Sequence, residues 1–178
     1  MKWAVFDSET TVRNVGEAAI GSFAADPAST LNEMVSYGEW LDDEYEEGYG
    51  GGTPRFLVRA AEGEDHMVVM HNGPFDLRYM AKTWPELYQR ALPHLFLWDT
   101  QHAEYLLSGC SEMYPSLNEC CEARGLPLKD DKIAAYWDAG IQTEMIPKDE
   151  LLSYQRGDVM DTLAVFRDQY NTISQDPK

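Results

Sequence analysis

Three short apolar runs in this chain stop abruptly at polar residues. WAVF (3–6) ends at Asp7, HMVVMH (66–71) runs into Asn72-Gly73-Pro74, and LFLW (95–98) ends at Asp99. Runs this short, bounded by acids or turn residues, read as buried strands, since a core helix needs about 10–12 residues. MVSYGEW (34–40) is a further strand candidate. Helical spacing follows the strands. It recurs at Phe75, Tyr79 and Met80, then from a cap at Asp99-Thr100 to Leu107, and over SLNECCEARG (116–125), with Gly125 just past the end. KIAAYWDAG (132–140) reads as another helix. Pro147 opens a long last helix with Leu151, Leu152, Val159, Leu163 and Phe166 on one face. FLVRAAEGED (56–65) reads as a short helix, and DDEYEEGYGGGTP (42–54) as an acidic, glycine-rich surface loop. Together these predict one α/β domain over 1–178.

The charge limits what such a domain does. Fourteen basic residues against 31 acidic ones leave −17, whereas tight binding to nucleic acid rests largely on neutralising phosphates. A strong, salt-sensitive grip on DNA or RNA is therefore not expected. An enzyme that meets phosphate through bound metal ions is not excluded. Cys110, Cys120 and Cys121 show no C-x-x-C spacing, which argues against structural zinc or a disulfide framework and points to a reducing cytoplasm. No apolar run reaches the ~18 residues of a membrane span.

The acids themselves are patterned. Asp7 and Glu9 are two apart at the end of the first strand, so they share one side of it. Like charges so placed are stabilised by a divalent cation between them. A D-x-E triplet is also common by chance in an acidic chain. In HNGPFD (71–76), Phe75 would anchor a strand-to-helix junction while Asp76 points back toward the sheet. Asn72 and Asp76 serve equally as turn and helix caps, and His71 reads as structural. Tyr154 and Asp158 are four apart on the last helix and share a face. A tyrosine hydroxyl there can orient a water beside a metal-binding carboxylate, although a half-buried tyrosine and a solvated acid give the same spacing. Four carboxylates converging at one edge would suit a two-metal phosphodiesterase site.

The segments FDSETT, HNGPFD, DTQHAEYLL and YQRGD, in that order, resemble the successive motifs of the DEDD (DnaQ-like) 3′–5′ exonucleases. The tyrosine four before the last aspartate resembles the DEDDy subgroup. The stretch 115–162 resembles the proofreading domain of family A DNA polymerases in particular. The resemblance implies a ribonuclease H-like fold, a central mixed β-sheet flanked by α-helices. It implies Asp7, Glu9, Asp76 and Asp158 as ligands of two Mg²⁺ or Mn²⁺ ions, and Tyr154 as the residue positioning the attacking water. Thr10, Asn72 and Phe75 would line or brace the place of the 3′-terminal nucleotide, and Asp99 would be structural. Arg13 departs from the pattern, standing where related domains often place an apolar residue near the terminal base. The chain ends shortly after the last helix, so a free-standing nuclease is expected.

Single-stranded or short substrates are expected, with DNA favoured, RNA possible and the choice of sugar left open, and cleavage is expected to be distributive unless a basic protein partner such as a polymerase or replication factor supplies grip. Arg78 and Lys82 lie nearest the expected site in sequence, with Arg124, Lys129 and Lys132 next. The rival reading is an acidic protein that imitates nucleic acid, with DDEYEEGYGGG as its arm. No membrane association is expected.

Overall fold

The computed structural model of the chain describes residues 2–12, 25–111, 113–127 and 132–175; Arg13 and Lys129 lie outside them. The strands are β1 (Lys2–Thr10), β2 (Met34–Leu41), β3 (Glu44–Tyr49), β4 (His66–Met70) and β5 (Leu95–Asp99). They form one mixed sheet in the order β3-β2-β1-β4-β5. β2 runs antiparallel to β1 and to β3, while β4 is parallel to both β1 and β5. The helices are α1 (Arg55–Ala61), α2 (Gly73–Thr83), α3 (Pro85–Ala91), α4 (Thr100–Leu107), α5 (Leu117–Glu122), α6 (Lys132–Asp138) and α7 (Lys148–Gln175). The sequence pattern does not announce α3, which Pro85 opens directly after Trp84 ends α2.

Strand alternation sorts the core into two layers. Ala4 and Phe6 of β1, with Val68 and Met70 of β4, pack under Phe56, Leu57, Met80 and Ala91 of the first three helices. Val5 and Val69 point the other way, against Val159, Leu163 and Phe166 of α7. Gly38, paired with Asp7, lets α7 lie close. A Cβ there would stand 3.0 Å from Val159 Cγ2 and 2.8 Å from Tyr45 Oη.

The expected loop over 42–54 is corrected by the structure. Glu44–Tyr49 pairs with β2 over its whole length, from Leu41↔Glu44 to Ser36↔Tyr49. Asp42 and Asp43 turn the hairpin with both φ positive, at 52° and 62°, as a two-residue turn requires. Three of its exposed acids meet arginines of α1. Arg55 meets Glu44 and Glu46 at 3.3 and 3.0 Å, and Arg59 meets Asp42 at 2.6 Å. Only the stretch beyond Tyr49 remains loop. Among the described residues no helix is long and apolar enough to cross a membrane. The three cysteines are free, and burial pushes the Cys120 thiol up to about 12.

Candidate functional site

Asp7 and Glu9 have the parity of Val5, so they face α7 rather than the first three helices. There they meet Asp158, and one carboxylate oxygen from each of the three residues lies within 4.8 Å of the others. Glu9 and Asp158 are each 8% exposed. Three clustered carboxylates in so little water repel one another strongly, and a divalent cation relieves that repulsion. An all-oxygen, anionic donor set suits the hard ions Mg²⁺ and Mn²⁺.

Asp76 arrives from the opposite layer. Ser8, between the two β1 acids, has the parity of Phe6 and therefore points toward α2, where its hydroxyl donates to Asp76 Oδ1 at 2.6 Å. Asp76 is 3% exposed. Burial, and then the charge of Asp7, hold its carboxyl well above the usual carboxylate range, with the Ser8 hydrogen bonds pulling the other way. The fourth acid thus feels the charge of Asp7 while standing outside the cluster of three.

Tyr154 sits one helical turn before Asp158. Half-buried, it packs edge-on against Trp137 at 6.0 Å and lines a cavity of about 630 Å³ with Lys132, Ile133, Asp149, Glu150, Ser153 and Gly157. Gln155, fully buried, was not singled out from the sequence. Its place between Leu152 and Val159 on the apolar face of α7 is the signal that marks it.

The HNGPFD turn is held by Asp99. That carboxylate accepts from the backbone N–H of Asn72 and Gly73 at 3.2 and 2.9 Å, and of Gln101 and His102 at 2.9 and 3.3 Å. One aspartate so caps α4 and also fixes the start of α2, the structural role expected of it. His71 is structural as well, bridging Thr100 Oγ1 (2.9 Å) and the Pro115 carbonyl (3.1 Å). Asn72 is exposed in the left-handed region, with φ of 60°. Phe75 is half-buried and packs against Tyr79 with the two rings tilted and their centroids 5.1 Å apart. Thr10 is buried, with its hydroxyl toward that of Tyr79. Phe75 and Thr10 therefore meet at Tyr79, within the wall that carries Asp76.

Several of the described basic residues are paired within the chain. Arg124 pairs with Glu104 and Asp168 at 2.7 and 2.8 Å, Arg55 with Glu39 at 3.0 Å, and Lys2 with Glu64 at 2.6 Å. Lys82 donates to the carbonyls of Pro27, Ser29 and Asn32, tying the 26–32 segment to α2. Of the basic residues expected near the site, Arg78 is exposed and Lys132 stands in the cavity wall. The chain matches no protein-family model and no curated protein.

Proposed function

We propose that this chain is a ribonuclease H-like 3′–5′ exonuclease of the DEDDy kind, releasing nucleoside monophosphates from single-stranded DNA ends, with RNA as a second substrate. The observation that carries this reading is the meeting of Asp7, Glu9 and Asp158 within 4.8 Å, with Asp76 bonded to Ser8 between the two β1 acids. Tyr154 on the turn before Asp158, beside an open cavity, supports it. Bound Mg²⁺ or Mn²⁺ would supply a nucleophilic water at neutral pH and offset charge developing on the phosphate.

The chain's own residues divide the remaining work. Asp7, Glu9, Asp76 and Asp158 would hold the two ions. Tyr154 would hold the attacking water by its hydroxyl. Phe75, Thr10 and Asn72 would shape the wall against which the terminal nucleotide rests. With a net charge of −17 and several of the described cations already paired within the chain, turnover is distributive, and a basic protein partner would raise processivity. On the mimicry reading, the acidic arm would be strand β3 and the loop after it, with Glu44 and Glu46 exposed beside Arg55.

The test is a gel time course on 5′-labelled single-stranded DNA and its RNA counterpart, in Mg²⁺, Mn²⁺ or EDTA, with Asp76→Ala alongside. A ladder shortening from the 3′ end, abolished by EDTA and by the substitution, is expected. Cleavage that survives both would sink the metal-dependent mechanism. No cleavage with any metal, together with metal-independent binding to a basic protein, would favour mimicry.

A further inference from the structure

The β1–β2 ladder is irregular beside the carboxylate cluster. Glu9 pairs with Ser36, but Thr10 pairs with Met34, so Val35 is skipped. A bulge of this kind leaves backbone groups without ladder partners and re-aims neighbouring side chains. The Gln155 amide reaches into this gap from α7. Oriented by its partners, it donates to Ser36 Oγ at 3.1 Å and to the Tyr37 carbonyl at 3.2 Å, and accepts from the Glu9 backbone N–H at 3.2 Å. One fully buried side chain on the last helix thereby bonds the backbone of a ligand-bearing residue and also the neighbouring strand.

The consequence is geometric. Asp158 is three residues beyond Gln155 on the same helix face. A helix advances ~1.5 Å and turns ~100° per residue, so a slip by one position would carry Asp158 away from Asp7 and Glu9. Apolar contacts between Val5, Val69 and Val159 are non-directional and tolerate small slides. A three-point amide contact does not. We infer that Gln155 is a positioning residue of the metal centre, setting the register of α7 against β1 so that Asp158 and Glu9 share one ion. The inference rests on the two-metal reading above.

A second buried glutamine on α7 supplies the control. Gln169, also fully buried, donates to the Thr100 carbonyl and to Glu104 at 2.8 Å each and accepts from Trp98 Nε1 at 3.2 Å, none of them a residue of the Asp7, Glu9 and Asp158 cluster. Gln155→Met and Gln169→Met each delete a buried amide at nearly constant volume. Thermal unfolding, Mn²⁺ affinity by electron paramagnetic resonance, and oligonucleotide kcat and KM are compared with wild type. Both variants are expected to unfold earlier. Only Gln155→Met should bind Mn²⁺ about 10–100-fold more weakly, with kcat reduced and KM nearly unchanged. Gln155→Asn, which keeps an amide one methylene shorter, should fall between. Equal Mn²⁺ affinity in wild type, Gln155→Met and Gln169→Met would overturn the inference, as would equal weakening in both variants. If Asp158→Asn binds Mn²⁺ as wild type does, the metal-centre reading itself falls, and the positioning role with it.

Discussion

Ser8 donates its hydroxyl to Asp76 Oδ1 at 2.6 Å, joining the middle of the D-x-E triplet to the first turn of α2. The serine occupies the one position of the triplet that faces away from Asp158. It therefore ties the two layers of carboxylates together across the strand. The bond favours the ionised form of Asp76, yet burial and the charge of Asp7 outweigh it, and the carboxyl pKa is raised.

That balance predicts how the metal-free protein responds to pH. A carboxyl whose pKa is raised on folding adds stability below its unfolded value, ~3.9 for aspartate, and loses it as pH rises through the folded value. Asp76→Asn removes the group that is lost. In EDTA the variant should melt above wild type, by about 2–4 °C for each kcal/mol relieved in a chain of this length. The gap should widen from pH 4 upward, while nuclease activity disappears. Calorimetry across pH checks this, and a variant that melts lower at pH 8 would contradict it.

The same carboxyl makes metal binding a proton exchange. Because burial and the charge of Asp7 raise the Asp76 pKa, an ion that binds there competes with a proton, so apparent affinity rises with pH. Titration calorimetry of Mn²⁺ in buffers of different ionisation enthalpy, repeated across pH, should show proton release on binding. Asp76→Asn should release less. Equal release in both proteins would place the proton elsewhere.

Several parts of this arrangement were legible in the sequence. The strands β1, β4 and β5 announce themselves because each is a short apolar run cut off by a polar residue, and the Asp99 cap follows from its position before α4. Strand β3 was hidden. EYEEGY carries three glutamates and a glycine, and its pairing with β2 depends on a partner strand rather than on its own composition. Ser8 and Asp76 show a subtler limit. Strand parity places Ser8 opposite Asp7 and Glu9, but which helix waits there is a matter of tertiary packing. Gln155 was masked by its apolar neighbours Leu152 and Val159.

Tyr154→Phe separates water positioning from ligand binding. The ring keeps its contact with Trp137, and no carboxylate is removed. Turnover should fall on the order of 10²-fold, with Mn²⁺ affinity and melting temperature close to wild type. Loss of Mn²⁺ affinity matching that of Asp7→Ala would assign the tyrosine to the metal site instead.

Salt should act weakly on this protein. A binder that neutralises Z phosphates of a single strand loses affinity with a slope of about −0.7Z in log salt. Here Arg55, Arg59, Arg124 and Lys2 are spent on internal acids, and Lys82 is spent on carbonyls. Fluorescence anisotropy of a labelled oligonucleotide, with Ca²⁺ in place of Mg²⁺, should therefore give a shallow slope between 50 and 300 mM NaCl. A steep negative slope would mean that a cationic track exists after all.

Gly157 tests whether the cavity beside Tyr154 receives substrate. It lies inside α7, where glycine costs about 0.5–1 kcal/mol relative to alanine, and a Cβ built on it meets nothing within 4 Å. Gly157→Ala should accordingly stabilise the helix, raising the melting temperature by about 1–4 °C. The added methyl would protrude from the wall that Tyr154, Ser153 and Lys132 share. If the terminal nucleotide enters there, KM should rise several-fold while kcat changes little, and Gly157→Val should exaggerate the effect. A stabilised variant with unchanged KM would move the substrate away from this cavity and toward the wall formed by Phe75 and Asn72.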